Sequence, residues 1–320
     1  MADLYAQKTV ICGDGGLGCS ATMVAKTVNS IRRNGSPGWE EYFGLDFSGA
    51  ADPVPPGLIA RYGLGQIRAL SPGETIELDL EPAQEWARSE NDDKRWAPLE
   101  ELCPRDVLAK IRSQQAGQKP AAGRAALWCV LDNIAPQVER ALRNLSDNGR
   151  VVTELRRTGF LDSQISKSLR VVLVAGAEGG TGSGTFLLTA LLFSSIAKQL
   201  GISIEMEAWL GYRYRPTQAR EAEFRVALGE QLTEDVEAAQ SPGTQLAVVT
   251  YSGRPLTTST PLFHRVFCFE GHGRVLGDAA ELSVVMGEAI AYRTTSMAAH
   301  ALDTAYSQNI LNRSRFGEDL

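Results

Sequence analysis

Histidine is scarce: three residues in 320 (His264, His272 and His300) are too few for a histidine-rich metal centre. Cysteine is present without a pairing pattern. Cys12, Cys19, Cys103, Cys129 and Cys268 are odd in number, widely spread and form no Cys-x-x-Cys. That excludes a disulfide framework or a zinc knuckle and suits a reducing compartment. Positive charge is not in surplus: 32 Lys and Arg against 38 Asp and Glu give a formal net charge of −6. Such a balance argues against nucleic acid or an anionic membrane as the partner. The longest apolar run, 186–197, is broken by Thr189, Ser194 and Ser195, so no membrane span is expected. The first ten residues lack a basic stretch followed by an apolar one, so no leader is expected and the expected location is the cytoplasm.

What is present is the composition of a globular protein, 43% apolar and 22% charged, long enough for two domains or one large one. Residues 9–12 are β-prone, 13–18 are glycine-rich, and 21–33 read as a helix stopped by 34–38. Residues 41–47 read as a second strand. The stretch 61–104 has weak periodicity and reads as an irregular insertion, with a short helix near 81–89. Its Trp86 and Trp96 argue that it is packed rather than disordered. Helices are expected over 104–115 and 123–148. Residues 169–175 form a β-branched apolar run suited to a central parallel strand. A helix ending near 200, a strand over 202–210, a helix over 218–239, strands over 246–251 and 263–270, and a helix over 278–300 complete the chain. This alternation predicts an α/β fold, a doubly wound and mostly parallel sheet with helices on both faces.

The glycines are clustered in two turns. Residues 13–18 read Gly-Asp-Gly-Gly-Leu-Gly between a strand and a helix. Such a turn offers backbone N–H groups and a helix N-terminus to an anion, with no side chain blocking approach. A dinucleotide fingerprint also wants a carboxylate about 20 residues later, which Glu40, Glu41 or Asp46 fits only when that spacing is stretched, so this motif alone is a weak signal. A tight turn that binds nothing stays open as the alternative. The second turn, 176–185, also joins a strand to a helix. It is not a P-loop, because Gly184 is followed by Thr185 where that motif needs lysine. Phosphate would be held there by backbone amides, the helix dipole and the hydroxyls of Thr181 and Ser183. Two such turns in one sheet can grip one polyphosphate from two sides. An NAD(P)-dependent Rossmann oxidoreductase, the other reading, needs only the first.

Gly179-Gly180-Thr181-Gly182-Ser183-Gly184 resembles the signature loop of tubulin and the corresponding loop of FtsZ. The family form has three successive glycines, whereas here Glu178 precedes only two. Gly15, Gly16 and Gly18 match the glycines of that family's first nucleotide loop, and Cys19 the residue after them. A third stretch, 116–124, holds Gly117, Gln118, Lys119, Gly123 and Arg124 and resembles the loop that closes on the terminal phosphate. The nearest likeness is to divergent bacterial tubulin-like proteins, over about 8–300 except 61–104.

That resemblance implies a domain over 1–277 that binds GTP or GDP with Mg2+, followed over 278–320 by a central helix and tail, with the usual C-terminal domain missing. It implies a cytoskeletal role and assembly with itself or with a protein partner that completes the site. It places Asp46 near the phosphates or their magnesium, Lys119 over the terminal phosphate, and Arg213, Glu270 and His272 on the base or ribose side, with Arg215 and Arg220 nearby. Hydrolysis in the family uses an acid from the loop after the central helix. Only Asp303 stands there in this chain, outside the family's Asn-x-Asp-x-x-Asp/Glu pattern. A GTPase with an incomplete catalytic loop and a non-hydrolysing scaffold subunit of a larger complex are therefore both open readings.

Overall fold

The structure, a computed structural model, describes residues 6–33, 38–47, 54–89, 96–111, 116, 119–158, 165–212, 219–241, 249–251, 254–256, 261–270, 279–296, 299 and 301. In chain order the elements are β1 (Ala6–Asp14), α1 (Gly15–Arg33), β2 (Glu40–Asp46), α2 (Pro56–Arg61), β3 (Thr75–Glu77), α3 (Glu81–Arg88), α4 (Ala97–Leu102), α5 (Arg105–Lys110), α6 (Pro120–Cys129), α7 (Leu131–Ser146) and α8 (Asn148–Thr158). They continue with β4 (Ile165–Gly176), α9 (Gly180–Leu200), β5 (Ile204–Tyr212), α10 (Ala219–Gln240), β6 (Val249–Tyr251), β7 (Arg254–Leu256), β8 (Arg265–Glu270) and α11 (Ala279–Thr295).

Six strands form one sheet in the order β3-β2-β1-β4-β5-β8, every pair parallel. The expected doubly wound α/β architecture is the observed one. Strand alternation sends neighbouring residues to opposite faces. Ile11, Val172, Val174 and Trp209 pack with Leu17 and Ala21 of α1 and with Leu282, Met286 and Ile290 of α11. Val10, Cys12, Val171 and Leu173 pack instead with α6, α7 and α9, through Leu127, Val138, Phe186 and Phe193. Both faces of the sheet are covered, which is why β4 reads as a continuous apolar run. Its Arg170 is buried beside Glu207 of β5 at 3.2 Å, and Arg293 of α11 reaches the same carboxylate at 2.7 Å.

Several local expectations are revised. The supposed irregular stretch 61–104 supplies β3, the edge strand of the main sheet, with Gly44 opposite Thr75. Three residues are too few to show a period. The same stretch carries α3 and α4, and Trp86 stacks on Trp96, with ring centres 5.5 Å apart, while Trp96 meets Trp128 of α6 at 5.2 Å. The helix read over 123–148 is two helices, α6 and α7, which part at Val130. The strand read over 246–251 is described only over Val249–Tyr251 and lies outside the main sheet, where β6 pairs antiparallel with β7. Thr189, Ser194 and Ser195 do not interrupt α9, which is long and apolar enough to cross a membrane by length and composition, against expectation. In this fold 72% of that apolar window is buried.

Candidate phosphate-binding site

Chain order reverses between β1 and β4. Strands β2 and β3 run outward from β1 on one side, and β5 and β8 run outward from β4 on the other. In open parallel sheets the crevice beyond the C-terminal ends of the strands at such a reversal is where ligands bind. The two glycine turns leave from these two central strands. Asp14 closes β1 opposite Ala175, and Gly176 closes β4 one residue later.

The turns touch. Gly15 has φ +72°, a region costly for any residue with a Cβ, and a Cβ there would come within 2.9 Å of the Gly182 nitrogen. A Cβ on Gly182 would lie 3.0 Å from the Asp14 carbonyl oxygen and 2.8 Å from that of Gly176. The third loop joins from the other side of α9. A Cβ on Gly123 would meet the Gly180 carbonyl oxygen at 2.6 Å, and one on Gly184 would overlap the Pro120 carbonyl. Segments 13–19, 119–124 and 179–185 thus converge through backbone packing that only glycine permits.

Three helix N-termini meet as a result. Gly179 caps α9 and Lys119 caps α6, and neither helix has a side-chain capping hydrogen bond. The first turns of α1, α6 and α9 contain no acidic residue. Asp14 immediately precedes α1 yet does not cap it: its Oδ1 accepts from the Thr189 hydroxyl at 3.3 Å, and its Oδ2 has no hydrogen-bond partner. An uncapped N-terminus leaves up to four N–H groups unsatisfied and carries roughly half a positive charge. Converging ends of this kind attract an anion.

The side chains around this point are mixed. Lys119 is exposed and makes no ion pair with any described residue. Arg124 is half-buried; its Nε has no hydrogen-bond partner, and its guanidinium lies near the Cys103 thiol, which burial nonetheless pushes up to about 11. The Cys19 thiol points inward, toward the carbonyls of Gly13 at 3.4 Å and Leu45 at 3.7 Å. Asp46 ends β2 half-buried, with Oδ1 accepting from the Phe47 amide at 2.8 Å. The Ser183 hydroxyl donates to the Gly179 carbonyl, and Thr181 is half-buried beside it. Gly16 is half-buried and Gly179 exposed, whereas Gly18 is packed within the turn. Glu178 is buried and lines a cavity of about 400 Å³ with Tyr212, Gly229, Glu230, Thr233 and Glu234, between the second turn and α10.

Gly117, Gln118, Arg213, Arg215, His272 and Asp303 lie outside the described residues, and for Arg220 and Glu270 only the backbone is described. Asp14 has no role among the expectations drawn from the sequence. The available signal was an ionisable side chain at the end of a buried strand, next to a glycine turn. Burial pushes its carboxyl from 3.8 to about 8, against the opposing influence of the nearby Thr189 and Thr185 hydroxyls. Among the described residues no group of three or more His, Cys, Asp or Glu is arranged to hold a metal.

Fold and site together define a doubly wound α/β protein with a candidate anion-binding crevice at its central strands. Residues 70–213 match a family model described as "Tubulin like". The resemblance to the tubulin/FtsZ superfamily drawn from the loops therefore holds, and the match runs through the third loop, the second turn and most of the stretch expected to lie outside the family pattern. Among solved structures the chain is similar to CetZ2 from Haloferax volcanii in a GTPγS-bound protofilament, at 13% identity and TM-score 0.44, over 90% of this chain and 59% of that one. It is also similar to CetZ from Methanosaeta thermophila strain DSM 6194, at 11% identity and TM-score 0.38, over 90% and 52%. A GTPγS-form protofilament of Bacillus thuringiensis serovar israelensis TubZ gives 9% identity and TM-score 0.38, over 90% and 55%. The chain thus spans little more than half the length of these proteins. No curated protein matches it.

Proposed function

We propose that this chain binds a guanine nucleotide, GTP or GDP, through the three converging loops, and that it assembles with itself or with a protein partner in a nucleotide-dependent way. The observation that carries the reading is the meeting of three helix N-termini at the reversal point of the sheet, two of which, those of α6 and α9, have no side-chain capping hydrogen bond. Backbone N–H groups of the turns at 15–18 and 179–184 would hold the phosphates, and Lys119 would add charge at the terminal one. The guanine preference follows from the superfamily resemblance. The similar CetZ2 and TubZ structures are a GTPγS-bound and a GTPγS-form protofilament. Mg2+ fits such a site when phosphates and water supply most of its ligands, with Asp46 as the one carboxylate. When bound, it would neutralise phosphoryl charge. Five cysteines, none joined in a disulfide, suit a cytoplasmic protein.

The chain's own residues exclude water beneath the phosphates through glycine packing and orient main-chain donors; hydrolysis is left to an acid beyond the described residues or on a neighbouring subunit. A scaffold that binds nucleotide without hydrolysis is the second reading. Asp46 also stands at the end of β2, where an NAD(P)-dependent enzyme carries its ribose-binding acid, and this observation favours the third. Chromatography of nucleotide released on denaturing the purified protein separates them. Guanine nucleotide supports the proposal, while NAD(P) overturns it in favour of an oxidoreductase. Sedimentation with and without GTP then tests assembly.

A further inference from the structure

We propose that Asp14 is a positioning residue of this anion site: buried where the two glycine turns cross, it ties them together beneath a phosphate chain, and a negative charge on its carboxyl weakens the hold on that chain. The inference rests on the nucleotide-binding reading above. Asp14 is 1% exposed and lies where the turns cross. Its carbonyl abuts Gly182 in the first turn of α9, the next residue abuts the Gly182 nitrogen, and its carboxyl reaches Thr189 two turns further along. One residue thus ties the end of β1 to two levels of α9. Its Oδ2 has no partner, which a neutral carboxyl bears at lower cost than a carboxylate.

The groups facing Asp14 leave its charge uncompensated. Cys12 on β1 is a buried thiol that feels Asp14, and Cys19 of α1 sits beside Cys12. In register, β2 presents Leu45 and β4 presents Ala175; α9 presents the hydroxyls of Thr185 and Thr189. No charged side chain is among the causes that set its protonation, so burial dominates and the carboxyl stays protonated up to about pH 8. Above that, it gives its proton to solvent and sets a negative charge beneath the seat of the phosphates. Anion binding and protonation of Asp14 are therefore linked.

Affinity for GDP, measured by calorimetry from pH 6 to pH 9.5 on wild type and Asp14→Asn, tests this. The ratio of the two cancels the ligand's own titration. Wild type is expected to lose affinity relative to the variant above about pH 8, by up to about tenfold per pH unit. Thr189→Val, which removes the donor to Oδ1, is expected to move the loss to higher pH and serves if Asp14→Asn does not fold. Parallel profiles for wild type and variant overturn the proposal, as does wild-type affinity that rises relative to Asp14→Asn with pH, the mark of a carboxylate serving a cation. Absence of GDP binding at every pH overturns the nucleotide reading as well.

Discussion

Single residues carry the chemistry of the crevice, and three of them give separable predictions. Asp14 titrates at about 8 in the folded protein against an ordinary 3.8, so the folded state holds a proton that the unfolded state releases over that interval. Its contribution to stability therefore falls as pH rises from about 4 through about 8, by at most about 1.4 kcal/mol per pH unit, and then levels off. Urea midpoints at pH 5, 7 and 9 should show Asp14→Asn gaining on wild type with pH; a constant difference would contradict the burial argument. Lys119→Ala should weaken triphosphate binding roughly three- to tenfold more than diphosphate binding, about 0.7–1.4 kcal/mol. Equal losses would place the ammonium away from the terminal phosphate. Gly123→Ala puts a methyl 2.6 Å from the Gly180 carbonyl oxygen, and neither backbone can move without separating α6 from α9. A cost of about 1–3 kcal/mol in chemical denaturation is expected, with weaker nucleotide binding. The close packing at the glycine positions was legible because a turn without side chains between strand and helix lets backbones approach. Asp14 was not, because its meaning depends on being buried without a partner, which only packing reveals.

Among elements, α1 and α11 clamp one face of the sheet. Gly287 of α11 lets the two backbones approach so closely that a Cβ there would lie 2.6 Å from the Ala21 carbonyl oxygen. The far end of the clamp is polar. Arg33 pairs with Glu40, both side chains at most 1% exposed, and Glu40 also accepts from Asn29 and Tyr42, while Arg33 donates to the Thr294 carbonyl at 3.3 Å. Removing one member of a buried pair strands the other charge, so Arg33→Met should cost about 3–5 kcal/mol in urea unfolding. A loss below about 1 kcal/mol would mean that Glu40 finds another partner. The sequence suggested Glu40 as a ribose ligand; in the fold it is a buried tie between α1 and β2. Long elements such as α1, β4 and α9 were visible from periodicity and glycine stops. The short β3 and the break between α6 and α7 were not, because each is fixed by the neighbour it packs on.

At the scale of the whole molecule, the crevice lies at the sheet's C-terminal edge and the arginine cluster around Glu207 lies further back along β4 and β5. The proposed assembly predicts that GTP increases the sedimenting fraction and that phosphate release, where present, rises faster than linearly with protein concentration. Linear release would assign any hydrolysis to the single subunit. Sedimentation that responds to GTP without release at any concentration would favour the scaffold reading. The expectations for residues 213–218, 271–278 and 302–320 concern the base, the ribose and the catalytic acid, and lie outside the described residues.

Composition and pattern alone determined the fold class, the two glycine-rich strand-to-helix turns and the lack of a P-loop lysine in the second, because strand alternation, helix period and glycine turns are local properties of the chain. Tertiary structure decided that the turns meet, that a third helix joins them, and that an acid lies sealed beneath their crossing. Those facts depend on strand order, and order within a sheet is settled by packing between segments more than a hundred residues apart.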